Sequence, residues 1–248
     1  MSFEPIIDVA EDADDLGARA AAWIAGRIAA APGRFALCLS GGSTPRDVYA
    51  RLAAAPLRER VDWSGVHLFW GDERFVPRDD ERSNYRMAWD ALIARVAIPR
   101  QQVHPLDVEA PTPQEAAARY DRLLHEFYGA PRLDPGRPLF DLALLGLGAD
   151  GHTASLFPGS RTLSADERLA VAVEGVMPEA RVSLTYRALE ASSEIAFLVC
   201  GEAKRQALRR VLDGDPSLPA SRVLAGAATR DAPLGAVRIF ADRAAFPI

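Results

Sequence analysis

The sequence predicts an α/β fold with three layers, in which a mostly parallel β-sheet carries helices on both faces. Two observations predict it. Short apolar runs typical of buried strands alternate with segments whose apolar residues recur at helical spacing. Residues suited to binding and catalysis follow directly after four of these runs, as they do where ligands bind beside the carboxyl ends of parallel strands. No repeat, low-complexity tract or linker divides the chain, so we expect a single domain over residues 1–248.

Composition and charge exclude several classes of protein. Of the 248 residues, 49% are hydrophobic and 25% are charged, which is ordinary for a globular protein. The net charge of −5, with both signs mixed along the chain, argues against a nucleic-acid partner. Cys38 and Cys200 each end an apolar run, which predicts buried thiols in a reducing compartment. We see no signal peptide and no apolar run of about 18 residues, so we expect a cytoplasmic protein with no membrane partner.

The first part of the chain shows the expected alternation. Residues 14–31 place apolar side chains on one face at helical spacing, which predicts an amphipathic helix. The apolar run 35–39 predicts a strand. A helix is expected over residues 46–54, with Thr44 as its N-cap and Pro45 as its first residue, because these residue types favour those positions.

The alternation continues to the end of the chain. The apolar run 66–70 predicts a second strand, and Ser83 begins a helix expected to reach residue 95. Residues 112–115 form a capping box with proline at the first helical position, which predicts a helix over 113–128. The nearly unbroken apolar run 140–145 predicts a buried strand. Similar patterns predict strands at 169–173, 181–185, 195–200 and 237–240 and a helix at 202–212.

The first candidate site is the turn after strand 35–39. It consists of Ser40, Gly41, Gly42, Ser43 and Thr44. Two glycines let the backbone turn tightly and approach a ligand, and the following helix offers free N–H groups and a positive dipole end. These features predict a phosphate-binding turn, although an ordinary strand-to-helix turn has the same local pattern. The Gly-Lys-Ser/Thr element of a nucleotide-binding loop is missing.

Charged residues follow two further strands. Asp72 and Arg74 come after strand 66–70, and form either a solvated loop or an acid for a substrate hydroxyl beside an arginine for phosphate. Lys204 follows strand 195–200 in the first turn of a helix. A cation there is misplaced relative to the helix dipole unless it faces an anion. Arg181 is another candidate for binding phosphate, or it only flanks its strand.

The main catalytic candidate is His152, in the glycine-rich loop after strand 140–145. Asp150 precedes it, and a titratable residue at a strand end favours catalysis over a structural role. Residues 146–151 also spell G-x-G-x-x-G, but Pro158-Gly159 interrupts the helix that dinucleotide binding requires. The other histidines, His67, His104 and His125, are predicted to be strand, loop and helix-surface residues, respectively. No His, Cys and carboxylate cluster has metal-ligand spacing, so no metal is expected.

Four spaced motifs carry a family resemblance. They are LSGGSTP at residues 39–45, GDERFVP at 71–77, SNYRMA at 83–88 and LGLGADGHTASLFPGS at 145–160, with weaker support from RVSLTY at 181–186 and GEAK at 201–204. In this order they resemble the 6-phosphogluconolactonase family over nearly the whole chain. The resemblance implies a modified Rossmann-like sheet, as in glucosamine-6-phosphate deaminase and ribose-5-phosphate isomerase.

The resemblance also implies an activity. It is the hydrolysis of 6-phospho-D-glucono-1,5-lactone to 6-phosphogluconate in the oxidative pentose phosphate pathway, without a metal or organic cofactor. The histidine of the family's DGHTAS motif corresponds to His152, and the acid and arginine of its GDER motif correspond to Asp72 and Arg74. One departure concerns the segment before Arg181, which often carries lysine and several prolines in relatives and is VMPEA here.

For this reaction His152 is expected to take a proton from water and return it to the ring oxygen, because imidazole both accepts and donates protons near neutral pH. Asp150 either orients the imidazole or only shapes the turn, and Asp72 accepts hydrogen bonds from sugar hydroxyls. The phosphate is expected on residues 40–44, with Arg74, Arg181 and Lys204 as candidate cations.

Two alternative functions compete with lactone hydrolysis. Deaminases on the same fold carry a glutamate shortly after their histidine, where this chain has Leu156-Phe157-Pro158, and phenylalanine cannot transfer a proton. A non-catalytic sugar-phosphate sensor would need a DNA-binding module, which this acidic chain does not suggest. The expected partner is therefore a small sugar-phosphate lactone, and the expected assembly is a monomer or a small homo-oligomer.

Overall fold

A computed structural model describes residues 5–160, 167–228 and 236–247. Its main sheet has six strands in the order β1-β9-β8-β5-β2-β3, and every neighbouring pair is parallel. The predicted α/β class with a mostly parallel sheet is confirmed. Among the described residues, no helix is long and apolar enough to span a membrane.

The strands are β1 Ile6–Ala10, β2 Phe35–Leu39, β3 Val66–Trp70, β4 Asp72–Arg74, β5 Phe140–Gly146, β6 Ala170–Val173, β7 Arg181–Leu184, β8 Ser192–Val199 and β9 Ala236–Asp242. The helices are α1 Ala13–Ala30, α2 Ser43–Leu52, α3 Leu57–Arg60, α4 Asn84–Ala91, α5 Pro113–Tyr128, α6 Tyr186–Glu190, α7 Arg205–Leu212 and α8 Pro219–Ala228. Short 3₁₀ turns lie at Trp63–Gly65, Ile93–Arg95, Arg100–Gln102 and Glu202–Lys204.

β5 lies inside the main sheet, between β2 and β8. The register pairs Leu37 with Leu142 on one side and Ala143 with Ile195 on the other. All four side chains are fully buried, which explains why these strands are unbroken apolar runs and do not alternate. Because the strands are parallel, their carboxyl ends, and the loops that follow them, meet at one edge.

A second, antiparallel sheet adjoins that edge. It has the order β4-β7-β6, and Arg74 lies opposite Arg181 in its register. β4 begins two residues after β3 ends, and the Gly71 carbonyl accepts a hydrogen bond from Leu184 N–H at 2.8 Å, which joins the two sheets. The charged run 72–74 is therefore a strand and not a loop. Its three polar residues lack the apolar pattern by which strands are recognised.

Helix starts differ from expectation at two functional positions. α2 begins at Ser43 with Gly42 as its N-cap, so the predictions of Thr44 as N-cap and Pro45 as first residue are wrong. Gly42 takes φ 109°, a conformation that only glycine adopts without strain. The helix predicted from residue 202 begins as a 3₁₀ turn that contains Lys204, and α7 starts at Arg205.

Other boundaries follow from capping. Thr112 accepts the N–H of Glu115 and α5 matches its predicted range residue for residue. Ser83 caps α4 as expected, but α4 ends at Ala91 and a 3₁₀ turn continues to residue 95. The sequence patterns did not predict β1, α3, α6 or α8, because these elements are short or are built largely of small residues.

Candidate active site

A cleft of about 240 Å³ opens at the carboxyl edge of the main sheet. It brings together all four of the predicted strand ends. The residues predicted from the sequence that line it are Ser40, Gly41, Gly42, Ser43, Thr44, Asp72, Arg74, His152, Arg181 and Lys204. Asp150, the remaining predicted residue, does not line the cleft but supports His152 from outside it.

The turn between β2 and α2 forms one wall of the cleft. Tyr49 of α2 fixes its start, because the phenol accepts the Ser40 N–H at 2.8 Å and donates to the Ser40 carbonyl at 2.9 Å. No side chain caps α2, so the first N–H groups of this helix are left for a ligand or water. A Cβ atom at Gly41 would overlap the side chain of Asn84, so glycine is needed for the two walls to meet.

Asp72 lies in the floor of the cleft and is 6% exposed. Its Oδ2 accepts a hydrogen bond from Ser155 Oγ at 2.6 Å. Nη1 of Arg181 is 3.8 Å from the same oxygen. Asn84 Nδ2 donates to the backbone carbonyl of Asp72 at 2.9 Å, which holds the start of β4 against α4. Asp72 is thus held by Ser155 at its carboxylate and by Asn84 at its backbone, with Arg181 close by.

Arg74 and Arg181 are cross-strand neighbours beside Asp72. Among the described residues, the buried Nε atom of each has no hydrogen-bond partner. Nη1 of Arg74 donates to the Arg82 carbonyl at 2.5 Å. Burial lowers the pKa of Arg181, and the charge of Arg74 adds to this effect while that of Asp72 opposes it. Two guanidinium groups face one carboxylate, so this corner carries excess positive charge suited to an anion.

His152 lies in the loop that follows β5 and lines the cleft. Its Nδ1 is 2.6 Å from Asp150 Oδ1, and the same oxygen accepts the His152 N–H at 3.1 Å. Partial burial would raise the pKa of Asp150, but these hydrogen bonds and the charge of His152 outweigh it and lower that pKa. With Nδ1 engaged by the carboxylate, Nε2 is the nitrogen that remains for a proton transfer.

Phe157 packs against the catalytic candidate. Its ring centroid is 4.6 Å from that of His152, and the guanidinium carbon of Arg181 is 5.8 Å from the same ring centroid. The aromatic ring is therefore wedged between the histidine and the anion-binding corner. This contact restricts the imidazole and offers it no group that transfers protons.

The sequence pattern did not single out Glu73, which lies between Asp72 and Arg74 but does not line the cleft with them. The carboxylate is buried and accepts the N–H groups of Asn84 and Tyr85 at 2.7 Å each, together with the Ser83 hydroxyl at 3.1 Å. Burial raises the pKa of Glu73, against the lowering effect of these hydrogen bonds. Glu73 therefore holds the N-terminus of α4 and does not face the cleft.

Sequence reasoning also missed Asn84 and Ser155. Asn84 lines the cleft, and Ser155 lies beneath it against Asp72. Both are inside quoted motifs, SNYRMA and DGHTAS, and this was the available signal. Their polar side chains have no distinguishing local pattern, because what makes them important is contact with β4 across the fold.

The single lysine and a nearby cysteine complete the wall after β8. Lys204 and Cys200 both line the cleft. Both cysteines are free thiols. Cys38 is buried, as predicted, whereas Cys200 is only half-buried. Burial together with the Asp242 carboxylate, 3.0 Å from Sγ, raises the pKa of Cys200 to about 12. Both the raised pKa and the hydrogen bond that Sγ donates to Asp242 favour the thiol over the thiolate.

The fold and this cleft define a class of α/β protein that has a candidate ligand site at the carboxyl edge of a parallel sheet. A family model described as glucosamine-6-phosphate isomerases/6-phosphogluconolactonase matches residues 11–231. The chain belongs to this family, as the motifs predicted.

Individual relatives support this family membership. The 6-phosphogluconolactonase of Synechocystis sp. is 37% identical over 218 residues, which cover 86% of this chain and 88% of that protein. The 6-phosphogluconolactonase structure from Trypanosoma cruzi has a TM-score of 0.83 at 31% identity, and the match covers 99% of this chain and 97% of the other. A monomeric glucosamine-6-phosphate deaminase, at 20% identity and a TM-score of 0.77 over 97% of this chain and 98% of the other, shares the fold.

Proposed function

We propose that this protein hydrolyses 6-phospho-D-glucono-1,5-lactone to 6-phosphogluconate, as a step of the oxidative pentose phosphate pathway. The observation that carries the proposal is the arrangement of the cleft, where His152, fixed by Asp150 at 2.6 Å, shares one cavity with Arg74, Arg181 and Lys204. The cations suit the phosphate, and the histidine suits hydrolysis of the lactone. Family membership supports the choice of substrate.

In the proposed mechanism, Asp150 accepts a hydrogen bond from the Nδ1–H group of His152, which leaves Nε2 unprotonated as the base. Nε2 takes a proton from water as the water oxygen attacks C1 of the lactone. The bond between C1 and the ring oxygen then breaks, and the imidazolium returns its proton to that oxygen. General acid–base catalysis of this kind contributes roughly 10²–10⁴-fold to a rate.

The phosphate is assigned to the cationic part of the cleft. Arg74 and Arg181 each have an unpaired Nε among the described residues, and the uncapped start of α2 adds N–H donors. Lys204 contributes from the wall after β8. Asp72, fixed in the floor, is placed to accept hydrogen bonds from sugar hydroxyls. The packing of Phe157 against His152 disfavours deamination, which needs a second proton-transfer group at that place.

The proposal also covers the expected compartment, assembly and cofactor requirement of the enzyme. We infer a cytoplasmic protein, supported by two free thiols, which acts on a small molecule as a monomer or a small homo-oligomer. Every proposed step is assigned to side chains of this chain, with no metal or organic cofactor.

A coupled assay tests the activity. Freshly prepared 6-phosphogluconolactone is mixed with the protein, and 6-phosphogluconate dehydrogenase converts the product with formation of NADPH. The wild-type protein should exceed the spontaneous rate, and His152→Ala should lower the enzymatic rate at least about a hundredfold. His125→Gln, on α5, serves as the matched control and should retain full activity. A wild-type rate equal to the spontaneous rate would refute the proposal, and an active His152→Ala variant would refute the assigned base.

A further inference from the structure

Ser155 occupies an unusual position between two charged groups of the cleft. It is fully buried, and its Oγ donates to Asp72 Oδ2 at 2.6 Å. Arg181 Nη1 donates a long hydrogen bond of 3.4 Å to the same Oγ. The arginine and the carboxylate themselves are 3.8 Å apart. The hydroxyl therefore lies beside both groups and bridges them, because it donates to the carboxylate and accepts from the arginine.

That separation is longer than a charged pair normally prefers. A guanidinium and a carboxylate that meet freely form hydrogen bonds of about 2.7–2.9 Å, often two in parallel. Arg181 is 8% exposed, so little water competes for it, and its Nε has no partner among the described residues. Arg181 thus makes only long contacts although a carboxylate is close by, and the carboxylate oxygen nearest to it is already engaged by the Ser155 hydroxyl.

The backbone around Ser155 holds the hydroxyl in place. Ala154 takes φ 48°, a left-handed conformation that is uncommon for alanine, and the Leu156 N–H donates to the Thr153 carbonyl at 2.9 Å. The Ser155 N–H donates to Ser183 Oγ, on β7, at 3.2 Å. The loop that follows His152 is in this way fixed to β7 in the small sheet, and the serine cannot move aside without breaking these contacts.

We propose that Ser155 is a positioning residue that keeps Arg181 available for the substrate phosphate by occupying Asp72 Oδ2. This inference rests on the proposed function, since it presumes a phosphate at Arg181. Without the hydroxyl, Arg181 closes onto Asp72, and the ion pair neutralises the anion-binding corner. Ser155 does not touch substrate, because its side chain is fully buried.

Phosphate binding tests the proposal independently of lactone turnover. Inorganic phosphate is titrated calorimetrically into the wild-type protein, Ser155→Ala, Asp72→Asn and the double variant. Ser155→Ala should weaken phosphate binding by about tenfold, because Arg181 is captured by the carboxylate. In the Asp72→Asn background no carboxylate is present to capture the arginine, so the added Ser155→Ala should weaken binding by less than about twofold.

Two further variants separate positioning from general damage. Ser192→Ala removes another fully buried hydroxyl, which donates to the Leu189 carbonyl away from the cleft, and should leave phosphate binding and KM unchanged. Ser155→Cys keeps nearly the same volume but donates a hydrogen bond only weakly, so it should behave like Ser155→Ala. Thermal unfolding of each variant shows that the comparison is made between folded proteins.

Lactone kinetics in the coupled assay provide the second measurement. Ser155→Ala should raise KM by about tenfold with a smaller effect on kcat, because substrate binding is what Arg181 supplies. Unchanged phosphate affinity in Ser155→Ala, an equal loss in both Asp72 backgrounds, or no phosphate binding by the wild-type protein would each overturn the role of Ser155. A wild-type protein that binds phosphate with the expected coupling but does not hydrolyse the lactone would overturn the proposed function alone.

Discussion

At the scale of single residues, the run Asp72-Glu73-Arg74 shows how three adjacent charges acquire different roles. A strand turns successive side chains to opposite faces, so Asp72 and Arg74 share the cleft while Glu73 points to the N-terminus of α4. The prediction of a site acid at 72 and a site arginine at 74 therefore agrees with the geometry of the cleft. Their catalytic and binding roles stay predictions.

The role of Arg74 has a direct kinetic test. Arg74→Ala should raise KM for the lactone by about tenfold or more with a smaller change in kcat, because a charge-assisted bond to phosphate is lost. Arg78→Ala is the matched control, since Arg78 stacks over Tyr85 at 5.4 Å and does not line the cleft. An unchanged KM would remove Arg74 from the phosphate site.

At the scale of elements, the loop after β5 places His152 because its glycines leave room for it. The Gly148 N–H donates to the His152 carbonyl at 2.8 Å, and Gly151 takes φ 87°. A Cβ atom at Gly148 would overlap both the His152 imidazole and the Asp150 carboxylate. Gly148 of the G-x-G-x-x-G pattern thus permits the close approach of the backbone to the His152 and Asp150 side chains.

Gly148→Ala should therefore lower kcat strongly while the protein stays folded. Displacing the imidazole from Asp150 by about an ångström is sufficient for a loss of roughly a hundredfold. Gly33→Ala provides the control, because a Cβ atom there meets nothing within 4 Å. Steady-state kinetics and thermal unfolding of both variants distinguish the outcomes, and a fully active Gly148→Ala would show that the His152–Asp150 geometry is not required.

At the scale of the whole molecule, the two ends of β3 serve different purposes. Its carboxyl end leads to Asp72, while its amino end carries His67, whose Nδ1 is 3.0 Å from His104 Nε2. His104 also stacks on Phe69, with ring centroids 4.5 Å apart. Burial, assisted by the charge of His67, lowers the pKa of His104 from its ordinary 6.5 to about 4. Burial and Arg34 lower the pKa of His67 as well.

This pair should make the fold sensitive to acid. Between pH 6.5 and 4 the unfolded chain binds a proton at His104 that the folded chain resists, so the free energy of unfolding should fall as the pH falls through this range. In His104→Phe, which retains an aromatic ring against Phe69, that dependence should be weaker. Denaturant titrations at several pH values measure it, with His125→Gln as the control. An identical pH dependence in His104→Phe and wild type would contradict the assignment.

Local patterns were sufficient for much of the architecture. β2, β3 and α5 match their predicted ranges, because continuous apolar runs and a capping box with proline are signals contained within a few residues. The parallel order of the strands places their carboxyl ends together, so most of the cleft residues followed from positions after strands. That the whole chain forms one domain stays a prediction.

Contacts between distant segments decided the rest. β4 exists because it pairs with β7, more than a hundred residues away in sequence, and its own residues carry no strand signal. The cap that Glu73 provides for α4, the packing of Phe157 on His152 and the hydrogen bond of Ser155 to Asp72 all depend on such contacts. Motifs therefore singled out His152 as the candidate for proton transfer, whereas only the folded chain shows which neighbours hold the surrounding charged groups in place.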